Sequence, residues 1–227
     1  MGSLELANTF ATALPFWDVL GEDDRALIVC ASHEMSFAAG EQMSGAAAEC
    51  LGGFVVLEGS VRVYLMSDEG REVTIVRLRP DEPCLMGASC VLRSIAFDVF
   101  LQAERDTRCI LIAPQTLDAV FRRNLRAENW ALNALVDRFS DIMWTLQQTL
   151  FASMDKRLAI FIYEECLRTG TDVVEMTQEQ IARHLGSARE VVSRMLSYFS
   201  DEGIVNVGRG RLEVVDRVRL KGIALGA

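Results

Sequence analysis

The chain has 227 residues, 50% of them hydrophobic and 24% charged, which is enough for two modest domains with separate cores. No apolar run approaches the roughly 20 residues of a membrane-spanning helix, and the opening MGSLELANTF lacks the basic start and apolar stretch of a secretory leader, so a cytoplasmic protein without a membrane is expected. A net charge of −9 and a pI of about 4.8 run against a nucleic-acid binder, whose phosphate contacts need positive surface.

Taken in chain order, the first 35 residues read as short helices, with apolar residues of PFWDVLGEDDRALIVCASHEM at helical spacing around an acidic start. From about Phe37 the character changes. FVVLEGSVRVYLMSDEGREVTIVRL is Val-rich and alternating, with turn compositions at Glu58-Gly59 and Ser67 to Gly70. A loop-like PDEPCLMGASCVLRSIAF follows, then two strand candidates in DVFLQAERDTRCILIA, ending at Pro114. Short strands at regular intervals predict an antiparallel β-barrel or jelly roll over 1–114.

From Gln115 to about Leu150 the pattern is helical. Leu132, Leu135, Phe139, Ile142, Leu146 and Thr149 alternate three-and-four spacing, an a/d stripe. Such a stripe can cover the chain's own barrel, but heptad spacing favours pairing with a second copy, so 128–150 is the expected homodimer contact within a dimerisation region at 115–152. Trp130 and Trp144 flank the stripe and could cover either barrel or partner. The segment DKRLAIFIYEECLRTG reads as a helix ending at a glycine, and Thr171 to Val174 as a short strand. MTQEQIARHLG opens with a capping box, Thr177 to Gln180, and SAREVVSRMLSYFSDEG with a second, Ser187 to Glu190. Two Val-rich strands around Gly208-Arg209-Gly210 predict a β-hairpin. Helix, glycine turn, helix and hairpin, in that order, make 153–227 a winged helix-turn-helix, and the whole chain α+β.

Charge is unevenly spread along this order. Residues 1–150 carry 12 basic against 21 acidic side chains, residues 151–227 carry 11 of each, and 187–221 carry 7 basic against 5 acidic. Only Lys156 and Lys221 are lysines, so phosphate or base recognition would rest on arginine. In SAREVVSRMLSYF, Val191, Val192, Met195, Leu196 and Phe199 can bury against the preceding helix. Positions 189, 190, 193, 194 and 197 then face outward. Arginine can donate a bidentate pair to guanine, and glutamate can accept from cytosine. Thr177, Gln178 and Ser187 lie at helix starts, where hydroxyls and free backbone N–H groups hold phosphates. Arg209, at the tip of the hairpin, is a further DNA candidate. The plain alternative is a solvated face on which Glu190 only closes the cap.

In AREVVSR and in the order barrel, long helix, winged helix, the chain resembles the CRP/FNR family of transcription regulators over nearly its whole length. The resemblance implies that Arg189 and Arg194 contact guanines or nearby phosphates, that Glu190 contacts cytosine and that Ser193 helps distinguish outer bases. It also implies an inverted repeat with a TGA-like core on double-stranded DNA, RNA polymerase as a partner, and a signal taken up by the barrel. Cyclic-nucleotide binders of the family use a Gly-Glu pair for the ribose and a later Arg-Ser/Thr pair for the cyclic phosphate. Here Gly87 is followed by Ala88 and Ser89, and Phe97-Asp98 stands where Arg-Ser would sit. Arg93-Ser94 occurs four residues earlier, and only a bent loop would let it substitute. The departure argues against cAMP or cGMP, leaving an unidentified small-molecule effector and no predicted cofactor.

Iron–sulfur sensing needs an N-terminal cysteine cluster, and only Cys30 precedes residue 50. For haem, His33 and His184 are the only histidines, and nothing else supports it. The six cysteines, Cys30, Cys50, Cys84, Cys90, Cys109 and Cys166, lack CxxC pairs and suit reduced thiols, with Cys84 and Cys90 as redox candidates beside the altered loop. A cupin-like metal or thiol enzyme would need clustered histidines and carboxylates, which the chain lacks, so no enzyme is expected. A winged helix serving as a protein-interaction module without DNA is the remaining alternative.

Overall fold

The structure, a computed structural model, describes residues 2–44, 52–80, 83–84 and 99–225. It divides into two compact units, Met1–Leu65 with Ile75–Ile142, and Met66–Thr74 with Met143–Ala227. The chain is α+β with antiparallel sheets. Among the described residues no helix is long and apolar enough to cross a membrane.

The first unit begins with α1 (Ser3–Ala13), a single 3-10 turn (Trp17–Val19) and α2 (Glu22–Cys30). Strand β1 (Ser32–Phe37) follows at once, so the helical expectation for the first 35 residues fails over its last four. The reason is tertiary: Ser32 to Phe37 pairs residue by residue with Ile112 to Thr107, and that pairing overrides a local pattern that suits a helix equally well. Strands β2 (Gln42–Ser44), β3 (Gly53–Glu58), β4 (Val61–Met66), β5 (Glu72–Leu78), β6 (Pro83–Cys84), β7 (Phe100–Ala103) and β8 (Thr107–Ile112) complete two four-stranded sheets, ordered β1-β8-β3-β6 and β2-β7-β4-β5. The turns fall where Glu58-Gly59 and Ser67 to Gly70 place them, the first carrying the chain from one sheet to the other between β3 and β4 and the second joining the neighbouring strands β4 and β5.

The two sheets enclose one core. Phe37, Phe54, Val56, Cys109 and Leu111 from the first meet Met43, Val61, Val63, Leu78, Leu101 and Ala103 from the second. The intervening residues Val55, Ile110 and Ile112 point the other way, into a second cluster with Leu6, Phe10, Phe16, Trp17 and Ile28 of the N-terminal helices and Leu117 and Val120. This is why β3 and β8 read as continuous apolar runs: both of their faces are covered. Cys109 lies in the inter-sheet core, where burial, with Glu34 adding, pushes its thiol up to about 11, so it stays protonated near neutral pH. Cys84 is buried in β6, opposite Phe54. Cys90, its expected redox partner, lies outside the described residues, as do Gly87, Ala88, Ser89, Arg93, Ser94, Phe97 and Asp98.

The single helix expected from Gln115 to Leu150 is two, α3 (Pro114–Arg123) and α4 (Leu125–Phe151). Asn124 makes the break. Its backbone is extended, and its side-chain carbonyl accepts from the N–H groups of Arg126 and Ala127, both at 3.1 Å, which starts a new helix. Trp130 covers the barrel unit's own core, with its ring 4.9 Å from Phe16. By contrast Leu132, Val136, Phe139, Leu146 and Leu150 stand exposed, Phe139 by 63%.

The second unit contains α5 (Met154–Thr169), β9 (Val173–Val174), α6 (Gln178–Leu185), α7 (Arg189–Asp201), β10 (Val205–Gly208), β11 (Arg211–Val214) and α8 (Arg217–Leu225). The three strands pair in the order β10-β11-β9. One continuous core joins Leu158 and Ile162 of α5, Ile181 and Leu185 of α6, Val192, Leu196 and Phe199 of α7, Val205 and Leu212 of the hairpin, and Leu220 of α8. Helix α8 has no counterpart among the sequence expectations, its only strong local signal being Asp216, which accepts from the Arg219 N–H at 2.9 Å.

Phe54 is 1% exposed between the sheets, so Phe54→Ala should cost about 3–5 kcal/mol of stability. Chemical denaturation with an unchanged slope checks this, and a loss under about 1 kcal/mol would mean that the two-sheet core does not form as described.

Candidate nucleic-acid interface

Helix α6 starts as its sequence demands. Thr177 Oγ1 accepts from the Gln180 N–H at 3.2 Å while Gln180 Oε1 accepts from the Thr177 N–H at 2.8 Å, a complete capping box. It ends at Gly186, φ +61, where the Gly186 N–H donates to the Arg183 carbonyl and the Ser187 N–H to the Ala182 carbonyl. These two bonds are the Schellman arrangement, which needs a left-handed residue at position 186.

That ending corrects the second capping box. Ser187 is committed to closing α6, so the extended residue that opens α7 is Ala188, with no side-chain cap. Val191 and Val192 both donate to the Ala188 carbonyl. Glu190 is therefore in the first turn of α7 with no capping duty toward Ser187. It stands exposed.

Of the five α7 positions expected to face outward, Arg189, Glu190, Arg194 and Ser197 are exposed and Ser193 is half-buried. Val192, Leu196 and Phe199 fill the opposite face. The hairpin places Arg209 close to the start of α6. Thr177, Gln178, Arg189, Arg209, Gly210 and Arg211 line a cleft of about 470 Å³ between α6, α7 and the β10–β11 turn. Glu190, Ser193 and Arg194 lie outside it, further along α7. Arg211 is the cleft residue that sequence reasoning missed, although its place beside Arg209 in a hairpin turn was the available signal.

The arginines of this unit fall into two groups. Arg157 donates to the Leu185 carbonyl, and burial pulls its pKa below the ordinary arginine value. Arg168 is paired with Glu165, Arg183 with Glu179 at 3.8 Å, Arg211 with Glu213 at 3.9 Å, Arg217 with Asp172 at 3.3 Å and Arg219 with Glu202 at 2.7 Å. Arg189, Arg194 and Arg209 have no such partner among the described residues. Three unpaired guanidinium groups therefore remain on the face of α7 and the tip of the hairpin.

A glycine-turned helix pair followed by a β-hairpin, which β9 from before the pair extends to three strands, with unpaired arginines on the second helix, defines a winged helix-turn-helix regulator. Residues 156–223 match the Crp-like helix-turn-helix domain. A crystal structure from Eubacterium rectale, described as a transcriptional regulator of the CRP/FNR family, is 37% identical, with 94% of this chain and 99% of that chain covered and a TM-score of 0.90. The cyclic AMP receptor protein of Thermus thermophilus is 29% identical over 76% of this chain and 79% of its own length. Transcriptional regulator SdrP of the same organism is 25% identical over 74% and 82%. The chain belongs to the CRP/FNR family of transcription regulators, which are not enzymes.

The two hydroxyls at the helix starts have different duties, and unfolding measurements separate them. Thr177→Ala removes a cap and should cost about 1 kcal/mol, whereas Ser187→Ala removes no cap bond and should cost under about 0.5 kcal/mol. Equal losses would restore the Ser187 cap.

Proposed function

We propose that the protein is a homodimeric regulator that binds double-stranded DNA at an inverted repeat with a TGA-like core, one α7 in each half-site. The observation that carries this is the unpaired trio Arg189, Arg194 and Arg209, on a unit where the other arginines are engaged by carboxylates or a carbonyl. An arginine left without an anion on an ordered surface is available to phosphate or to guanine O6 and N7. Arg189 and Arg194 are the base or near-base contacts, Glu190 accepts from cytosine, and Ser193 bears on the outer bases. Thr177, Gln178, Ser187 and Arg209 hold the phosphate backbone. The acidic balance of the first 150 residues keeps non-specific DNA contact low.

The exposed stripe on α4 supports the dimer. Leu132, Val136, Phe139, Met143, Leu146 and Leu150 follow one another at three-and-four spacing along α4, exposed apolar side chains that water does not favour and a second copy would cover. A two-fold pair of α7 helices then reads two half-sites about one helical turn apart. Control comes from a small signal in the barrel, and the outcome is recruitment or exclusion of RNA polymerase in the cytoplasm. One relative is named for cyclic AMP, but Ala88 in place of a carboxylate, with Phe97-Asp98 in place of Arg-Ser, makes this signal something other than a cyclic nucleotide.

Site selection from a random duplex pool should return a TGA-containing inverted repeat. On that duplex Arg189→Ala and Arg194→Ala should each cost about 1–3 kcal/mol, Glu190→Ala should relax one base position, and Arg209→Ala should weaken all duplexes alike while lowering the salt slope by about 1. Binding that ignores salt, or a motif unchanged by Glu190→Ala, contradicts the assignment. In sedimentation the unaltered chain should run as a dimer and Phe139→Asp as a folded monomer; an unaffected Phe139→Asp would place the dimer contact elsewhere.

A further inference from the structure

The second unit includes a segment distant in sequence from the helix-turn-helix, Met66–Thr74, which comprises the β4–β5 turn with the last residue of β4 and the first three of β5 and is called the β4–β5 turn below. It meets the α6–α7 turn. Thr74 Oγ1 and His184 Nδ1 lie 2.7 Å apart and share a hydrogen bond. Two residues later a Cβ built on Gly186 would stand 2.3 Å from Val73 Cγ2 and 3.5 Å from the Glu72 carbonyl oxygen. Gly186 therefore answers two demands: a left-handed backbone, and room for Val73.

The end of α6 is held from α5 as well. The His184 ring stacks on Phe161, centroids 5.3 Å apart and planes at 24°, and Arg157 donates to the Leu185 carbonyl. His184, Leu185 and Gly186 are thus each engaged by a group from α5 or from the β4–β5 turn. Arg189, Glu190 and Arg194 remain exposed while this contact is made, so it does not obstruct the surface that faces DNA. It acts as a brace.

We propose that Thr74 and Val73 are positioning residues for DNA recognition: the β4–β5 turn braces the α6–α7 turn and so fixes the direction in which α7 presents Arg189 and Arg194. This rests on the DNA-binding function above. Only Gly186, Ser187 and Ala188 join the two helices, and a small rotation at Gly186 displaces every guanidinium on α7. Bidentate contacts tolerate little displacement.

The test uses the full-length chain and a duplex obtained by selection from a random pool. Thr74→Val keeps the shape and removes the hydroxyl, and should weaken binding by about three- to tenfold, the scale of one hydrogen bond, with the order of preferred bases unchanged. Thr74→Ser restores the hydroxyl and should return binding to within about twofold of the original. Independently of DNA, Gly186→Ala should lower the thermal midpoint, and adding Val73→Ala to that background should recover part of the loss, a non-additive pair. Thr74→Val binding as well as or better than the unaltered chain overturns the brace, as do strictly additive midpoints; if Gly186→Ala fails to fold, the Thr74 pair decides. Absence of salt-dependent binding by the unaltered chain sinks the DNA-binding function and the brace with it, whereas normal binding with Thr74→Val unaffected sinks the brace alone.

Discussion

The recognition unit depends on the backbone at Gly186. A left-handed residue there lets the Ser187 N–H return to the Ala182 carbonyl and ends α6 within one residue. The chain then needs only Ser187 and Ala188 before α7 begins, and that short passage decides which faces of the two helices meet. Ile181 and Leu185 close over Val192 and Leu196, and the hairpin and α8 complete the same core. With any other backbone at position 186 the apolar faces would not oppose each other. The outward positions of α7 would then have no fixed direction.

Electrostatics adds a second constraint on that frame. Most arginines of the unit are held by carboxylates within it, which neutralises them locally and adds little stability where the pairs are exposed. Arg157 is instead spent on the Leu185 carbonyl beside the turn, and burial lowers its pKa. Among the described residues, Arg189, Arg194 and Arg209 remain without an ion-pair partner. A protein that is acidic overall can therefore still present a compact positive surface.

Much of this was legible in the residues. The capping box at Thr177, the glycine after Leu185 and the alternating strands on either side of Glu58-Gly59 each follow from a local rule with a local cause, whereas of the expected a/d stripe Leu132, Phe139 and Leu146 are exposed and Ile142 packs against the inter-sheet core. The misses share one physical origin. Ser32 to Phe37 is a strand because β8 lies beside it. Asn124 breaks a helix because its side chain also donates to the Val19 carbonyl, at 2.8 Å, which holds it in a capping position. Ser187 looks like a cap followed by Glu190, but its N–H and its place in the turn are already used by α6. Arg211 joins the cleft only once the hairpin has folded toward Thr177.

The sequence by itself therefore determined the α+β class, the order of barrel, long helix and winged helix, and the identity of the side chains at 189, 190, 193 and 194, because periodicity, capping and turn chemistry act over a few residues. The tertiary structure alone decided which arginines are free to bind, since that depends on carboxylates brought near from elsewhere in the chain. It also decided that Thr74 bonds to His184 and that Val73 lies against Gly186. Contacts between residues more than a hundred positions apart have no local signature, and they exist only after the elements have packed.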